Sequence, residues 1–140
     1  MISNSPVNLN ALKKAVVSLK EAANEPMIHD KKIGEFIRDS VIQRFEYTYE
    51  LSWKSLQRYL KQAYNFQADS LRQLYREAGR IGLIDNVESW FAYQEARNLT
   101  SHTYNEITAE ETYKVALQFA YDAEKLLHKL EEVLKHVTNT

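Results

Sequence analysis

Ile42-Gln43-Arg44-Phe45-Glu46-Tyr47-Thr48-Tyr49-Glu50-Leu51-Ser52-Trp53-Lys54-Ser55-Leu56 is the stretch that sets the architecture. Ile42, Phe45, Tyr49, Trp53, Leu56 and then Leu60 recur at spacings of three and four, which puts them on one helical face. Ile33, Ile37 and Val41 widen that face toward its start, and Asp30 stands where an N-cap belongs. So long and broad an apolar face needs several packing partners, either neighbouring helices or a second subunit.

The same period continues on both sides. Leu9, Leu12, Val16, Leu19 and Ala23 predict a first helix over residues 7–24, ended by Glu25-Pro26 because the residue before proline is steered out of helical geometry. Asp69-Ser70 opens a short helical unit through Leu71, Leu74 and Tyr75, stopped by Gly79 and Gly82. Asp85 with Glu88 has capping-box spacing ahead of Trp90, Phe91 and Ala96, and Thr108 with Glu111 repeats that spacing. Ala116, Phe119, Ala123, Leu126, Leu130, Val133 and Val137 then follow close to a heptad. With only three glycines and two prolines in 140 residues, a many-stranded sheet is excluded in favour of long helices with short connections. The expected fold is all-α, an antiparallel bundle of four to five helices in one domain over residues 1–140.

Eighteen basic residues against nineteen acidic ones give a net charge of -1, so any nucleic-acid contact must come from a local patch. The chain has no cysteine, hence no disulfide framework or thiolate metal site. No run approaches a membrane span, and the N-terminus lacks a signal-peptide core, which makes a cytoplasmic location the expectation. His29, His128 and His136 lack metal-ligand spacing, and no glycine loop for a nucleotide is present. Neither a metal nor a cofactor is expected in this chain.

Chemistry concentrates in Arg97-Asn98-Leu99-Thr100-Ser101-His102-Thr103-Tyr104, between the last two helical patterns. Imidazole, with an ordinary pKa of about 6.5, is suited to proton transfer at His102. A guanidinium at Arg97 can hold a phosphate while charge grows on it, and Tyr104 can orient His102 or donate to the phosphate. Together they suit RNA cleavage in which the 2′-hydroxyl is the nucleophile. On an unbroken helix, however, Arg97 and His102 lie roughly 140° and about 7.5 Å apart. They meet only if the last turn loosens or if a two-fold dimer brings two copies to one cleft. Arg44, Asn98 and Ser101 are candidates for lining that cleft. The same side chains also suit a purely structural role, since cations near a helix C-terminus interact favourably with its dipole. Glu50 and Lys54 read as an exposed pair, the aromatic series Phe45, Tyr49 and Trp53 as packing, and Tyr47 as a residue free to meet a partner.

Arg97, four residues, His102, one residue, Tyr104 resembles the signature of the HEPN domain, in its branch of nucleotidyltransferase substrate-binding proteins. Residues 43–54 resemble the long second helix of that branch, and the likeness runs over nearly the whole chain. The resemblance implies a homodimeric helical bundle paired with a separate minimal nucleotidyltransferase. It implies a metal-independent endoribonuclease toxin with Arg97 and His102 catalytic and RNA as substrate. The partner would be the antitoxin, transferring AMP to Tyr104 with its own ATP and Mg²⁺. The family's older name implies an alternative, a non-catalytic subunit that presents substrate to the nucleotidyltransferase; whether the chain is itself an enzyme stays open between the two.

Overall fold

The computed structural model describes residues 7–25, 30–102 and 106–138, with backbone alone at 101–102, 106–107 and 136–138. Five helices follow in order: α1 (Asn10–Ala23), α2 (Lys31–Tyr64), α3 (Leu71–Arg80), α4 (Val87–His102) and α5 (Glu106–Thr138). Among the described residues no helix is long and apolar enough to cross a membrane.

The α2 stripe is the centre of the core. Val41, Ile42, Phe45, Tyr49, Leu56 and Leu60 are buried, while Trp53 is half-buried and Ile33, at the outer edge of the expected face, stays exposed. Asp30 caps α2 by accepting from the Ile33 amide, as its position predicts. At the other end Asn65 takes the left-handed conformation (φ 53°), and the Phe66 amide reaches back to the Leu60 carbonyl at 3.1 Å. That is a Schellman-type stop, with asparagine where glycine is commonest.

Side-chain pairings fix the helix directions. Arg44 meets Ser18 and Thr48 meets the Ala15 carbonyl, so α1 and α2 are antiparallel. Tyr93 bonds Asp122 and Asp85 pairs with Lys129, so α4 and α5 are antiparallel as well. Arg38 meets Glu110 and Phe45 meets Phe119, which makes α2 and α5 parallel neighbours. The expected antiparallel order therefore holds for consecutive long helices and not for every packed pair. As a consequence the N-termini of α2 and α5 and the C-terminus of α4 share one end of the bundle.

Phe119 is the hub of the interior. Its ring lies 5.2 Å from Phe45, 6.1 Å from Tyr49, 5.6 Å from Trp90 and 5.0 Å from Tyr93, mostly edge-to-face. Leu12, Val16 and Leu19 of α1 and Ala116, Ala123, Leu126 and Leu130 of α5 complete the cluster. The short α3 buries Leu74, Tyr75 and Ala78 against it, and Gly79 lets α4 begin alongside, because a Cβ there would overlap Val87 Cγ2.

Two helix starts differ from expectation. Ser70 caps α3 as anticipated. Asp85 does not cap α4: the Ser89 amide donates to Asn86 Oδ1 at 3.3 Å, and Asp85 turns instead to Lys129 and Lys125 of α5. Those lysines hold the Asp85 carboxyl below the usual carboxylate range. Likewise α5 starts at Glu106, two residues before Thr108, which lies inside the helix. Spacing alone favours both caps, and it carries no information about a lysine 44 residues away.

Candidate active site

Arg97 projects from α4 toward α2. Its Nη1 lies 3.9 Å from Glu46 Oε2 and 3.4 Å from the Thr100 hydroxyl oxygen, which accepts from it. The Thr100 hydroxyl in turn donates to the Arg97 carbonyl at 2.7 Å, so one threonine ties the side chain to its own backbone. Both members of the ion pair are partly shielded, with about 28% of the Arg97 side chain and 35% of Glu46 exposed.

Tyr49, three residues on from Glu46 along α2, lies within electrostatic reach of Arg97. The Tyr49 and Tyr75 hydroxyls share a hydrogen bond at 2.5 Å inside the core. Burial pushes Tyr49 up to about 12; the Tyr75 bond and the nearby Arg97 charge oppose that shift, and Glu50 adds to it. Burial raises Tyr75 as well, reinforced by Tyr49. Tyr93 is raised by burial and by its bond to Asp122. These phenols stay protonated across the physiological range and serve as fixed hydrogen-bonding groups.

The backbone is helical through His102. The angular separation of an unbroken helix therefore applies, and within one chain Arg97 and His102 stand on different faces. Of the two ways in which Arg97 and His102 could meet, loosening of the turn is not seen in the backbone up to His102. The side chains of Ser101 and His102 lie outside the described residues, as does Tyr104 altogether. Asn98 is exposed one residue beyond Arg97.

Arg44 sits elsewhere. Its Nε donates to Ser18 Oγ at 2.9 Å and its Nη1 to the Ser40 carbonyl at 3.2 Å, on the side of α2 that faces α1. There it borders an open groove of about 360 Å³ with Ser18, Glu21, Ile37 and Ser40. Glu46, two residues on, lies roughly 200° round the helix, so Arg44 and Arg97 are not brought together within the chain. Tyr47, exposed on the α1 side, donates to the same Ser18 oxygen at 3.1 Å. The Glu50–Lys54 pair forms at 3.5 Å, as its spacing predicts.

Two residues at this end of the bundle do not stand out in the sequence. Glu46 reads there only as part of the solvated charge on α2. Arg38 is buried despite its charge, with Nε 3.4 Å from Asp39 and Nη1 3.2 Å from Glu110. The available signal for Glu46 is its place one turn before Glu50, beside the apolar stripe. For Arg38 it is a cation between Ile37 and Val41. Among the described residues no group of histidines and carboxylates is arranged to hold a metal ion.

Residues 7–132 match the family described as nucleotidyltransferase substrate binding protein like. The chain belongs to that family. This HEPN-like family is related to the ribonucleases of HEPN toxin–antitoxin pairs, in agreement with the resemblance carried by residues 43–54 and 97–104. One relative, named probable ribonuclease HepT, of Haemophilus influenzae (strain ATCC 51907 / DSM 11121 / KW20 / Rd), is 34% identical over 138 residues, covering 90% of this chain and 93% of its own. Two solved structures are also similar to this member of the nucleotidyltransferase substrate-binding family. A Haemophilus influenzae protein, described as revealing the fold of a substrate binding domain of a nucleotidyltransferase, superposes with a TM-score of 0.78 at 33% identity, covering 89% of this chain and 99% of its own. A Thermus thermophilus protein gives a TM-score of 0.74 at 33% identity, over 85% and 98% of the two chains.

Proposed function

We propose that this protein is a metal-independent endoribonuclease toxin that acts as a two-fold homodimer, with Arg97 and His102 as its catalytic residues. The observation that carries the reading is the sequence Arg97, four residues, His102, one residue, Tyr104, in a chain 34% identical to a probable ribonuclease. Helical continuity from Arg97 to His102 supports the dimer, because an unbroken helix separates the two positions around its axis while a symmetric cleft supplies two copies of each. Asn98 and Ser101, and Arg44 from a second surface, are the residues proposed to line it.

In the cleft one His102 takes the proton from a ribose 2′-hydroxyl as that oxygen attacks phosphorus. Arg97 steadies the negative charge on the non-bridging oxygens. The bond from phosphorus to the 5′-oxygen breaks, and the second His102, protonated, supplies that oxygen with its proton. The products are a 2′,3′-cyclic phosphate and a 5′-hydroxyl. DNA has no 2′-hydroxyl and is not a substrate.

A cytoplasmic minimal nucleotidyltransferase is the proposed partner, silencing the toxin by moving AMP from ATP onto the Tyr104 hydroxyl, with pyrophosphate leaving; ATP and Mg²⁺ are the partner's requirements. The second reading, a non-catalytic subunit that presents substrate to the nucleotidyltransferase, is favoured by the likeness to a solved substrate-binding domain. Incubation of purified protein with single-stranded RNA in EDTA separates the two. Cleavage to cyclic phosphate ends, lost in Arg97→Ala and His102→Ala, is the expected result. A folded dimer that leaves RNA intact, together with nucleotidyl transfer to a molecule other than this chain, establishes the second reading instead.

A further inference from the structure

We infer that Glu46 is the positioning residue for Arg97, holding its guanidinium in the geometry that a phosphate requires. The inference rests on the ribonuclease reading above and adds a residue from a different helix to that site.

Three observations lead to it. Glu46 Oε2 stands 3.9 Å from Arg97 Nη1, a contact between α2 and α4 made at the residue to which the chemistry is assigned. The same nitrogen donates to Thr100 at 3.4 Å, so Nη1 has a hydrogen-bond partner on its own helix and a carboxylate of α2 at ion-pair distance. Finally, Glu46 sits between anchored neighbours on α2: Phe45 is fully buried against Phe119, and Thr48 is bonded to the Ala15 carbonyl.

An arginine side chain has four soft torsions, and phosphate recognition needs its planar fork in one orientation. A carboxylate fixed on a rigid neighbouring helix restricts those torsions before substrate arrives. With both side chains about one-third exposed, the pair adds little to stability, so its placement beside the reactive arginine is better explained by orientation than by folding. The Glu46 charge also offsets that of Arg97 in the free protein, limiting capture of unrelated anions.

The test compares Glu46→Ala with Glu46→Gln in the full-length dimer, using cleavage kinetics and the Nε–Hε resonance of Arg97 in ¹H–¹⁵N spectra. Positioning predicts a roughly 100-fold fall in kcat for Glu46→Ala, with KM changing far less. It also predicts recovery of most of that loss by Glu46→Gln, which keeps an acceptor oxygen in place. The Arg97 resonance, dispersed in the wild type and in Glu46→Gln, should move to the averaged arginine position in Glu46→Ala while circular dichroism is unchanged. Glu46→Gln as inactive as Glu46→Ala overturns positioning and makes the carboxylate a proton acceptor. Unchanged kcat and resonance in Glu46→Ala also overturn it. If the wild type cuts no RNA, the ribonuclease reading fails, and the resonance alone still decides whether Glu46 orients Arg97.

Discussion

Tyr49 and Tyr75 join their hydroxyls at 2.5 Å in the core, with Tyr49 within electrostatic reach of Arg97. The two rings come from α2 and α3, and each hydroxyl is the other's polar partner in an otherwise aromatic layer. Burial disfavours the phenolate of either residue, which raises both pKa values. A phenol whose folded pKa exceeds the unfolded value of about 10 binds its proton more tightly in the native state. Its contribution to stability is therefore complete below pH 10 and is lost as pH rises toward about 12. Tyr93 and Tyr59 are shifted in the same direction, so the contributions add. Chemical denaturation at pH 8, 10, 11 and 12 should show stability falling across the upper part of this range. A flat profile to pH 12 contradicts the assignment.

Removing both hydroxyls should cost less than the two single removals added together. Tyr49→Phe leaves the Tyr75 hydroxyl buried without its partner, a penalty of about 1–3 kcal/mol. Tyr75→Phe should behave likewise. In the double variant no polar group is stranded, so its destabilisation should fall well short of the sum of the two single changes. Urea denaturation of the four proteins gives the coupling directly, and strict additivity would deny the bond.

Gly79→Ala should be destabilising even though alanine is the better helix former by about 1 kcal/mol. The new methyl group would overlap Val87 Cγ2, where a β-branched side chain has little freedom to yield. Overpacking of this kind costs about 1–3 kcal/mol. Val87→Ala removes the clashing atom, so the double variant should be more stable than Gly79→Ala alone. Thermal melts of the three proteins test this; a stabilised Gly79→Ala would show that α3 and α4 move apart without cost.

Much of this fold is legible from periodicity. Burial imposes the three-and-four spacing, which is why Phe45, Tyr49, Leu56, Phe119 and Leu126 are all assignable to the core from sequence. Local chemistry suffices for Asp30 and Ser70, whose caps depend on amides three residues away. It fails for Asp85, because the competing lysine belongs to another helix, and for Thr108, because α5 begins a half-turn earlier. The Arg97 motif is visible as chemistry, but its contact with Glu46 joins residues 51 positions apart. No helical or strand period couples such residues, so only the folded bundle brings them together.

The proposed composite cleft makes a prediction that a single-chain site does not. Arg97→Ala and His102→Ala should each abolish RNA cleavage, since one removes phosphate stabilisation and the other proton transfer. If Arg97 of one protomer serves the His102 of its partner, unfolding and refolding the two inactive proteins together should restore part of the activity. Mixed dimers then hold one cleft with an intact arginine from one chain and an intact histidine from the other. Refolding each variant alone is the control and should give none. The continuous helix from Val87 to His102 is what motivates the expectation, because it separates the two residues around one axis. Failure of the mixture to regain activity, with mixed dimers demonstrated by native mass spectrometry, would mean either that the working pair lies within one chain, with α4 opened at its end, or that the cleft needs both His102 residues.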